Sequence, residues 1–252
     1  MSSVVRISPK YGCWNVITDQ LIIRTLSNQL DFLLIDLEHG FRDFKDFVSA
    51  FNAAQNSNCE IYVRVRKYND PLIQSLLDLG VTHFIVPQIR DLDQLNEFIQ
   101  SCSFPPNGRR GLHPRIYQSS LKGKRNLEDV LAERIQICVI IETKESLEFV
   151  EEICSNPLVS EIYLGVYDLS MELGLINETE SQKMLDICLE VSQVAKRFAK
   201  PVMAMLGTTE ILNKFALVGV SKIVIGIDSS ILQNSVDLKV KSFQKEADSS
   251  LE

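Results

Sequence analysis

Carboxylates, a histidine and arginines collect at the ends of short apolar runs in this chain. The first group is Asp36-Leu37-Glu38-His39, a second is Glu142-Thr143, and a third is Gly165-Val166-Tyr167-Asp168. Arg64 and Arg66 follow another apolar run, and Asp228 closes the last one. Two carboxylates held side by side, as Glu142 and Asp168 would be at adjacent strand ends, suit a hard divalent ion whose other positions take water and substrate oxygens. Without a cation, one of such a pair is driven to take up a proton. The spacing also fits a plainer reading, in which Glu142 caps the following helix and Asp168 caps a short turn. His39 is the general-base candidate, with Asp36 three residues ahead to fix its tautomer. A histidine at a strand end can equally be structural. His83 opens a strand rather than closing one, so it reads as packing, and His113 stays open.

Other chemistries lack their parts. An imine-forming aldolase needs a desolvated lysine inside the mouth of its site. No strand interior supplies one: Lys222 enters the last strand at its start, and Lys67 and Lys144 lie beyond strand ends. There is no Gly-x-Ser-x-Gly elbow, no P-loop and no His-Glu-x-x-His. A metal, rather than an imine, is the expected electron sink.

The elements that must position these groups alternate in period. Short β-branched runs predict strands at Tyr11–Val16, Phe32–Leu37, Glu60–Val65, His83–Pro87, Gln136–Glu142, Glu161–Gly165, Pro201–Met205 and Lys222–Ile227. Amphipathic stretches between them predict helices at Thr18–Gln29, Phe44–Ala54, Pro71–Leu79, Leu92–Cys102, Lys144–Cys154, Glu180–Phe198, Thr209–Leu217 and Ser230–Val240. Asp43 stands where an N-cap belongs. Eight such units in 252 residues predict an α/β fold, a single-domain (β/α)8 TIM barrel over residues 1–244. Barrels of this kind react where strands end and the following loops begin, which is where the polar groups fall. A doubly wound open sheet is the alternative, but no Gly-rich turn follows the first strand. Residues 245–252 are polar and read as a disordered tail.

Composition narrows the function further. The chain is 45% hydrophobic and 23% charged, enough apolar content for a large core. Its formal net charge of −7 argues against a nucleic-acid or acidic-membrane partner. No apolar stretch reaches the ~18–20 residues that span a bilayer, and residues 1–11 lack the apolar block of a signal peptide. Six cysteines without metal-pair spacing read as free thiols in a reducing cytoplasm. The longest irregular piece, Ser103–Arg125, carries Arg109, Arg110, His113, Arg115, Lys122, Lys124 and Arg125, a local reversal of charge suited to small anions.

Taken in order, the motifs resemble the HpcH/HpaI family of metal-dependent 2-oxo-acid aldolases, over roughly Tyr11 to Ile231. The matching parts are Phe32-Leu33-Leu34-Ile35-Asp36-Leu37-Glu38-His39-Gly40, Val63-Arg64-Val65 with Asn69-Asp70-Pro71, Leu76-Leu77-Asp78-Leu79-Gly80, and Val86-Pro87. Further on come Pro105-Pro106-Asn107-Gly108-Arg109-Arg110-Gly111, Ile141-Glu142-Thr143 and Gly165-Val166-Tyr167-Asp168-Leu169-Ser170. The resemblance implies a pyruvate-type enolate on Mg2+, Mn2+ or Co2+. It matches Glu142 and Asp168 to the metal ligands, His39 and Asp36 to an acid–base dyad, and Arg64 to the arginine that steadies the 2-oxo group. It matches Asp78 to an acid contributed across a subunit contact, in homohexamers with a swapped helix. The chain departs from the family at Val166 and Tyr167, where a proline and a small residue are usual, at Ile140, and at His113. These changes surround the substrate, so Arg110, His113, Gly165 and Tyr167 are expected to touch it.

The expected function is therefore a carbon–carbon lyase, an aldolase for 2-oxo-4-hydroxy acids. One alternative is a citrate-synthase-like Claisen condensation of acetyl-CoA with oxaloacetate, which the basic loop would serve. The other is a barrel that binds a metabolite without turnover.

Overall fold

Along each apolar run the side chains alternate between two surroundings, and that alternation builds the architecture. A computed structural model describes residues 9–40, 43–55, 57–112, 127–176, 178–205 and 219–249. Among them the strands are Lys10–Asn15 (β1), Phe32–Asp36 (β2), Glu60–Arg64 (β3), His83–Val86 (β4), Gln136–Ile141 (β5), Val159–Leu164 (β6), Val202–Met205 (β7) and Val220–Ile227 (β8). They pair in parallel in chain order, and β8 returns to β1 to close a barrel. The single-domain (β/α)8 barrel read from the sequence is the fold observed.

The helices are Gln20–Gln29 (α1), Phe44–Ala54 (α2), Ile73–Leu79 (α3), Leu92–Cys102 (α4), Leu127–Ala132 (α5), Lys144–Glu148 (α6), Val150–Ser155 (α7), Val166–Glu172 (α8), Gln182–Arg197 (α9) and Asp228–Ser249 (α10). Side-chain caps start several of them. Asp19 accepts from the backbone of Leu21 and Ile22, Asp43 forms a capping box with Asp46, and Ser181 accepts from Met184 N.

Three differences from the sequence reading have physical causes. The helix expected over Lys144–Cys154 is broken at Phe149, whose ψ of 16° leaves helical geometry while its ring packs on the core. The short α8 is not among the expected helices, because its apolar residues do not fill a full helical period. Residues 245–249, expected to be tail, continue α10, whose Lys, Gln, Glu and Ala are good helix formers. The helix expected at Thr209–Leu217 lies outside the described residues.

Outward strand residues such as Leu33, Ile35, Val63, Val139, Ile141 and Ile162 are fully buried beneath the helices. Each contributes roughly 1.5–3 kcal/mol by leaving water. Inward residues fill the barrel with a second cluster that includes Trp14, Phe32, Leu34, Tyr62, Ile140 and Tyr163. Gly12 is required by this packing, since a Cβ there would lie 2.2 Å from the ring of Phe32.

The interior ends at the bottom in a polar layer. Lys222 Nζ bonds Glu161 Oε1 at 2.7 Å and Glu60 Oε2 at 2.9 Å, and also contacts the hydroxyl of Tyr62. Lys10 pairs with Glu60 from the rim. Burial alone would raise the Glu60 carboxyl, but hydrogen bonds from Lys10 and Lys222 outweigh it and hold the group at about 2. His83 stacks edge-on against Tyr62 at 4.9 Å in this same region, far from the strand exits. Replacing Lys222 with Met should leave Glu161 buried without its cation. The expected cost is about 3–5 kcal/mol, read as a shift in the urea unfolding midpoint with unchanged slope.

Candidate active site

The inward alternation that fills the barrel brings a charged layer to its top. After Phe32 and Leu34 the next inward residue of β2 is Asp36; after Tyr62 on β3 it is Arg64; after Ile140 on β5 it is Glu142; and after Tyr163 on β6 it is Gly165. Asp36 and Arg64 are register partners across β2 and β3. These groups open into a cavity of about 380 Å3 at the strand exits. Of the ten residues expected to act, seven line it: Asp36, His39, Arg64, Glu142, Gly165, Tyr167 and Asp168.

Arg64 is nearly buried and faces two carboxylates. Its Nε donates to Asp36 Oδ1 at 2.9 Å, its Nη2 to Asp36 Oδ2 at 2.6 Å, and its Nη1 stands 2.9 Å from Glu38 Oε2. The guanidinium lies over the indole of Trp14 at 4.4 Å. Trp14 is fixed in turn by its Nε1–H, which donates to the Tyr163 hydroxyl at 2.9 Å. Burial lowers the guanidinium, but Asp36 and Glu38 more than reverse this and raise it, so the cation is permanent.

The described hydrogen bonds give Asp36 partners other than the His39 ring. Asp36 spends its oxygens on Arg64 and on the backbone N–H groups of Glu38 and His39, which fold the turn. The carboxylate beside the His39 ring is Glu38, whose Oε2 is 3.9 Å from Nε2. Glu38 was visible in the Asp-x-Glu-His motif but was given no role. Burial raises it first, opposed by Arg64 and His39 and reinforced by Asp36 and Asp168.

Neither Glu142 nor Asp168 serves as a helix cap. Thr143 caps α6 in a box with Ser146, and its hydroxyl also donates to Ile89 O at 2.8 Å. The N-cap of α8 is Gly165, which makes no side-chain cap bond. Glu142 is buried, and its Oε1 accepts the backbone N–H of Gln88 at 2.6 Å. Gln88 reaches this position at a φ of 53°, a left-handed conformation that costs a non-glycine residue roughly 1–2 kcal/mol. Its side-chain amide also donates to Glu38 Oε1 at 3.2 Å. The other Glu142 oxygen lies over Gly165, where an added Cβ would be 3.1 Å from Oε2 and 2.5 Å from the Glu142 Cβ. Gly165 is thus the gap that leaves Glu142 its room.

These positions fit a cation. Burial, then Asp168 and Glu38, push the Glu142 carboxyl up, and the Gln88 N–H and Arg64 only partly offset them, leaving it at about 7. Four carboxylates (Asp36, Glu38, Glu142 and Asp168) share this end of the barrel with Arg64. No cluster of three or more metal-type side chains occurs among the described residues. The pair that could hold an ion here is Glu142 and Asp168, with water and substrate completing its shell.

With that geometry established, comparison with known proteins decides the lineage. The family model described as HpcH/HpaI aldolase/citrate lyase matches residues 10–234. The chain belongs to the HpcH/HpaI aldolase/citrate lyase family. A hydroxypyruvate/pyruvate aldolase of Chromohalobacter salexigens is 27% identical over 234 residues, 90% of each chain. An HpcH/HpaI family protein from Burkholderia cenocepacia superposes with a TM-score of 0.87 at 23% identity, over 94% of this chain and 95% of the other. The citrate synthase SbnG does so with a TM-score of 0.84 at 24% identity, over 96% and 95%. The protein is an enzyme of the aldolase type within this family.

Three expected residues lie away from this HpcH/HpaI cavity or outside the described residues. Asp78 sits on α3, accepting from Gln74 Nε2 at 2.9 Å. Arg110 is buried against the ring of Phe104 at 4.4 Å, with Nη2 near Leu77 O on α3, and does not line this cavity. Arg109 pairs with Glu97 on the surface. His113 lies outside the described residues, as do Arg115, Lys122, Lys124 and Arg125. Sequence reasoning missed Trp14, Tyr163 and Gln88. The inward phase of β1 and β6 could have found the two aromatics, whereas nothing local marks Gln88.

The raised Glu142 sets a pH signature. Its folded pKa exceeds its unfolded one, so its effect on stability turns unfavourable as pH climbs from about 4.5 to about 7. Glu142→Gln should therefore stabilise the metal-free protein at pH 8 by roughly 2–3 kcal/mol. Mn2+ should raise the wild-type Tm more at pH 8 than at pH 5.5 and leave the Tm of this variant unmoved.

Proposed function

We propose that the enzyme forms and cleaves 2-oxo-4-hydroxy acids, using a pyruvate-type nucleophile and a divalent metal (Mg2+, Mn2+ or Co2+) held by Glu142 and Asp168. The observation that carries this reading is the excess of carboxylates over cations around a small cavity, with Glu142 buried and pushed to about 7. A bound divalent ion would supply the positive charge that acidifies the protons next to the keto group.

The chain's own residues do the rest. Arg64 uses three of its five N–H groups on Asp36 and Glu38, so two remain to grip a 2-oxo oxygen as negative charge builds there. Trp14 and Tyr163 hold the plane of that guanidinium from behind. His39, two-thirds exposed at the mouth, takes the proton of the 4-hydroxyl in cleavage and returns it in synthesis, directly or through water. Glu38 orients the ring.

Aldol chemistry is preferred to a citrate-forming condensation. The first two arginines of the basic loop, Arg109 and Arg110, are committed to Glu97 and to Phe104. Among the described lining residues the permanent cation is Arg64, too little for a polycarboxylate. Pyruvate in D2O should exchange its C3 protons only when Mg2+, Mn2+ or Co2+ is added, as followed by NMR. Absence of exchange with all three ions overturns the reading. His39→Ala should lower kcat for cleavage by about 10²–10⁴-fold while keeping the metal-dependent rise in Tm.

A homo-oligomer, a hexamer by resemblance, completes the proposal. On α10 every residue from Leu232 to Ala247 is exposed, and Leu232, Val236, Val240 and Phe243 form one stripe at helical spacing. Such a stripe calls for a cover, and a second copy supplies it. Asp78, remote from the cavity of its own chain, would then serve a neighbour. Val236→Asp with Phe243→Asp should shift the particle mass towards the monomer in light scattering, whereas an unchanged mass removes the helix from the interface. No described helix is long and apolar enough to cross a membrane. The six free cysteines support a reducing compartment, and we assign the cytoplasm.

A further inference from the structure

The cavity is divided by strand of origin. Its charged half comes from β2, β3, β5 and the β6 exit, which carry Asp36, Arg64, Glu142 and Asp168. The opposite half comes from three consecutive strands, β7, β8 and β1. It presents Met205, the last residue of β7, Ile227, the last residue of β8, and Val16, just past β1. The only hydroxyl these strand exits add to the lining, among the described residues, is that of Ser229.

Among the described residues at these strand exits, Asp228 is a buried carboxylate turned away from solvent. Its carboxylate accepts from Asn15 Nδ2 at 2.6 Å, from the backbone of Val16 and Ile17 at 3.1 Å each, and from Ser229 N at 2.8 Å. It is spent on joining the exits of β8 and β1, and the joint displays aliphatic side chains to the cavity.

We propose that this sector is the acceptor subsite and that it selects a short, uncharged aliphatic aldehyde over one bearing a carboxylate or phosphate. The inference rests on the aldolase reading above and deepens it. In the reaction the C3–H bond of pyruvate breaks and its proton leaves. A bond then forms from C3 to the aldehyde carbon, and the carbonyl oxygen takes up a proton; no electrons are exchanged with a third party. With the 2-oxo acid on the charged half, the aldehyde's substituent must lie along Val16, Met205 and Ile227. An anionic substituent there gives up its hydration and finds no cation among the described residues, whereas each buried methylene gains about fourfold in kcat/KM.

The test compares addition of pyruvate, with Mn2+ present, to propanal and butanal against glyoxylate and succinate semialdehyde. The expected result is a kcat/KM at least tenfold higher for the neutral pair; any smaller margin overturns the proposal. Ile227→Arg should move the ratio towards glyoxylate by tenfold or more, and an unchanged ratio in the folded variant also overturns it. If that variant does not fold, Met205→Ala serves instead: it should lengthen the preferred aldehyde by one or two carbons, and an unchanged chain-length optimum counts against the subsite. Exchange of pyruvate C3 protons, measured without any aldehyde, keeps the two readings apart. Exchange with the wrong acceptor preference removes only this inference, while no exchange removes the aldolase reading and this inference with it.

Discussion

Everything at the top of the barrel is arranged around one guanidinium. Arg64 has Asp36 on one edge, Glu38 on another and the face of Trp14 behind it. Two further carboxylates, Glu142 and Asp168, stand across the cavity. A buried ion pair is weak evidence for stability, because the desolvation of both partners opposes their attraction. Here the pair is also outnumbered, and the cost shows in Glu142, held at about 7 by burial and its acidic neighbours. Groups whose charged form is disfavoured in this way cluster at functional sites.

The strand period explains how the chain delivers these groups. Asp36, Arg64 and Glu142 were legible in the sequence because each ends an apolar run in phase with the inward positions of its strand. The eight strands were legible for the same reason, and their observed limits differ from the expected ones by at most two residues. Phase also distinguishes His39 from His83, since one follows its strand and the other begins one. The partner of a side chain was not legible. Asp36, three residues from His39, has a closer claimant in Arg64 on the next strand, and register rather than sequence distance decides between them. Arg110 shows the same limit: a basic loop reads as an anion site, but a guanidinium stacked on Phe104 is packing. Gln88 is a backbone device, a left-handed residue that aims an N–H at Glu142, and its side-chain type carries no trace of that task.

Support for the acids comes from elements with no chemistry of their own. The Thr143–Ser146 box starts α6 so that Glu142, one residue earlier, is relieved of capping. Gly165 removes a side chain where Glu142 needs room. Asp228 ties β8 to β1 and leaves that sector aliphatic. Changes at these positions would reach the site through Glu142 or the cavity wall.

The two ends of the barrel interior then make an internal comparison. Both are polar layers built by the same alternation, and both hold buried acids against a buried cation. At the bottom, Lys222 and Lys10 face Glu161 and Glu60, one cation for each acid, and Glu60 is held far below its ordinary range. At the top, four acids face Arg64, and Glu142 is pushed above its range. A balanced layer stabilises the ionised acid, as at Glu60, and acts as a plug. An unbalanced layer in an open cavity leaves charge for a ligand to neutralise. The shifts, downward on half-buried Glu60 and upward on buried Glu142, therefore follow the charge balance of the two ends, a distinction that the mere presence of charged residues inside the strands would not reveal.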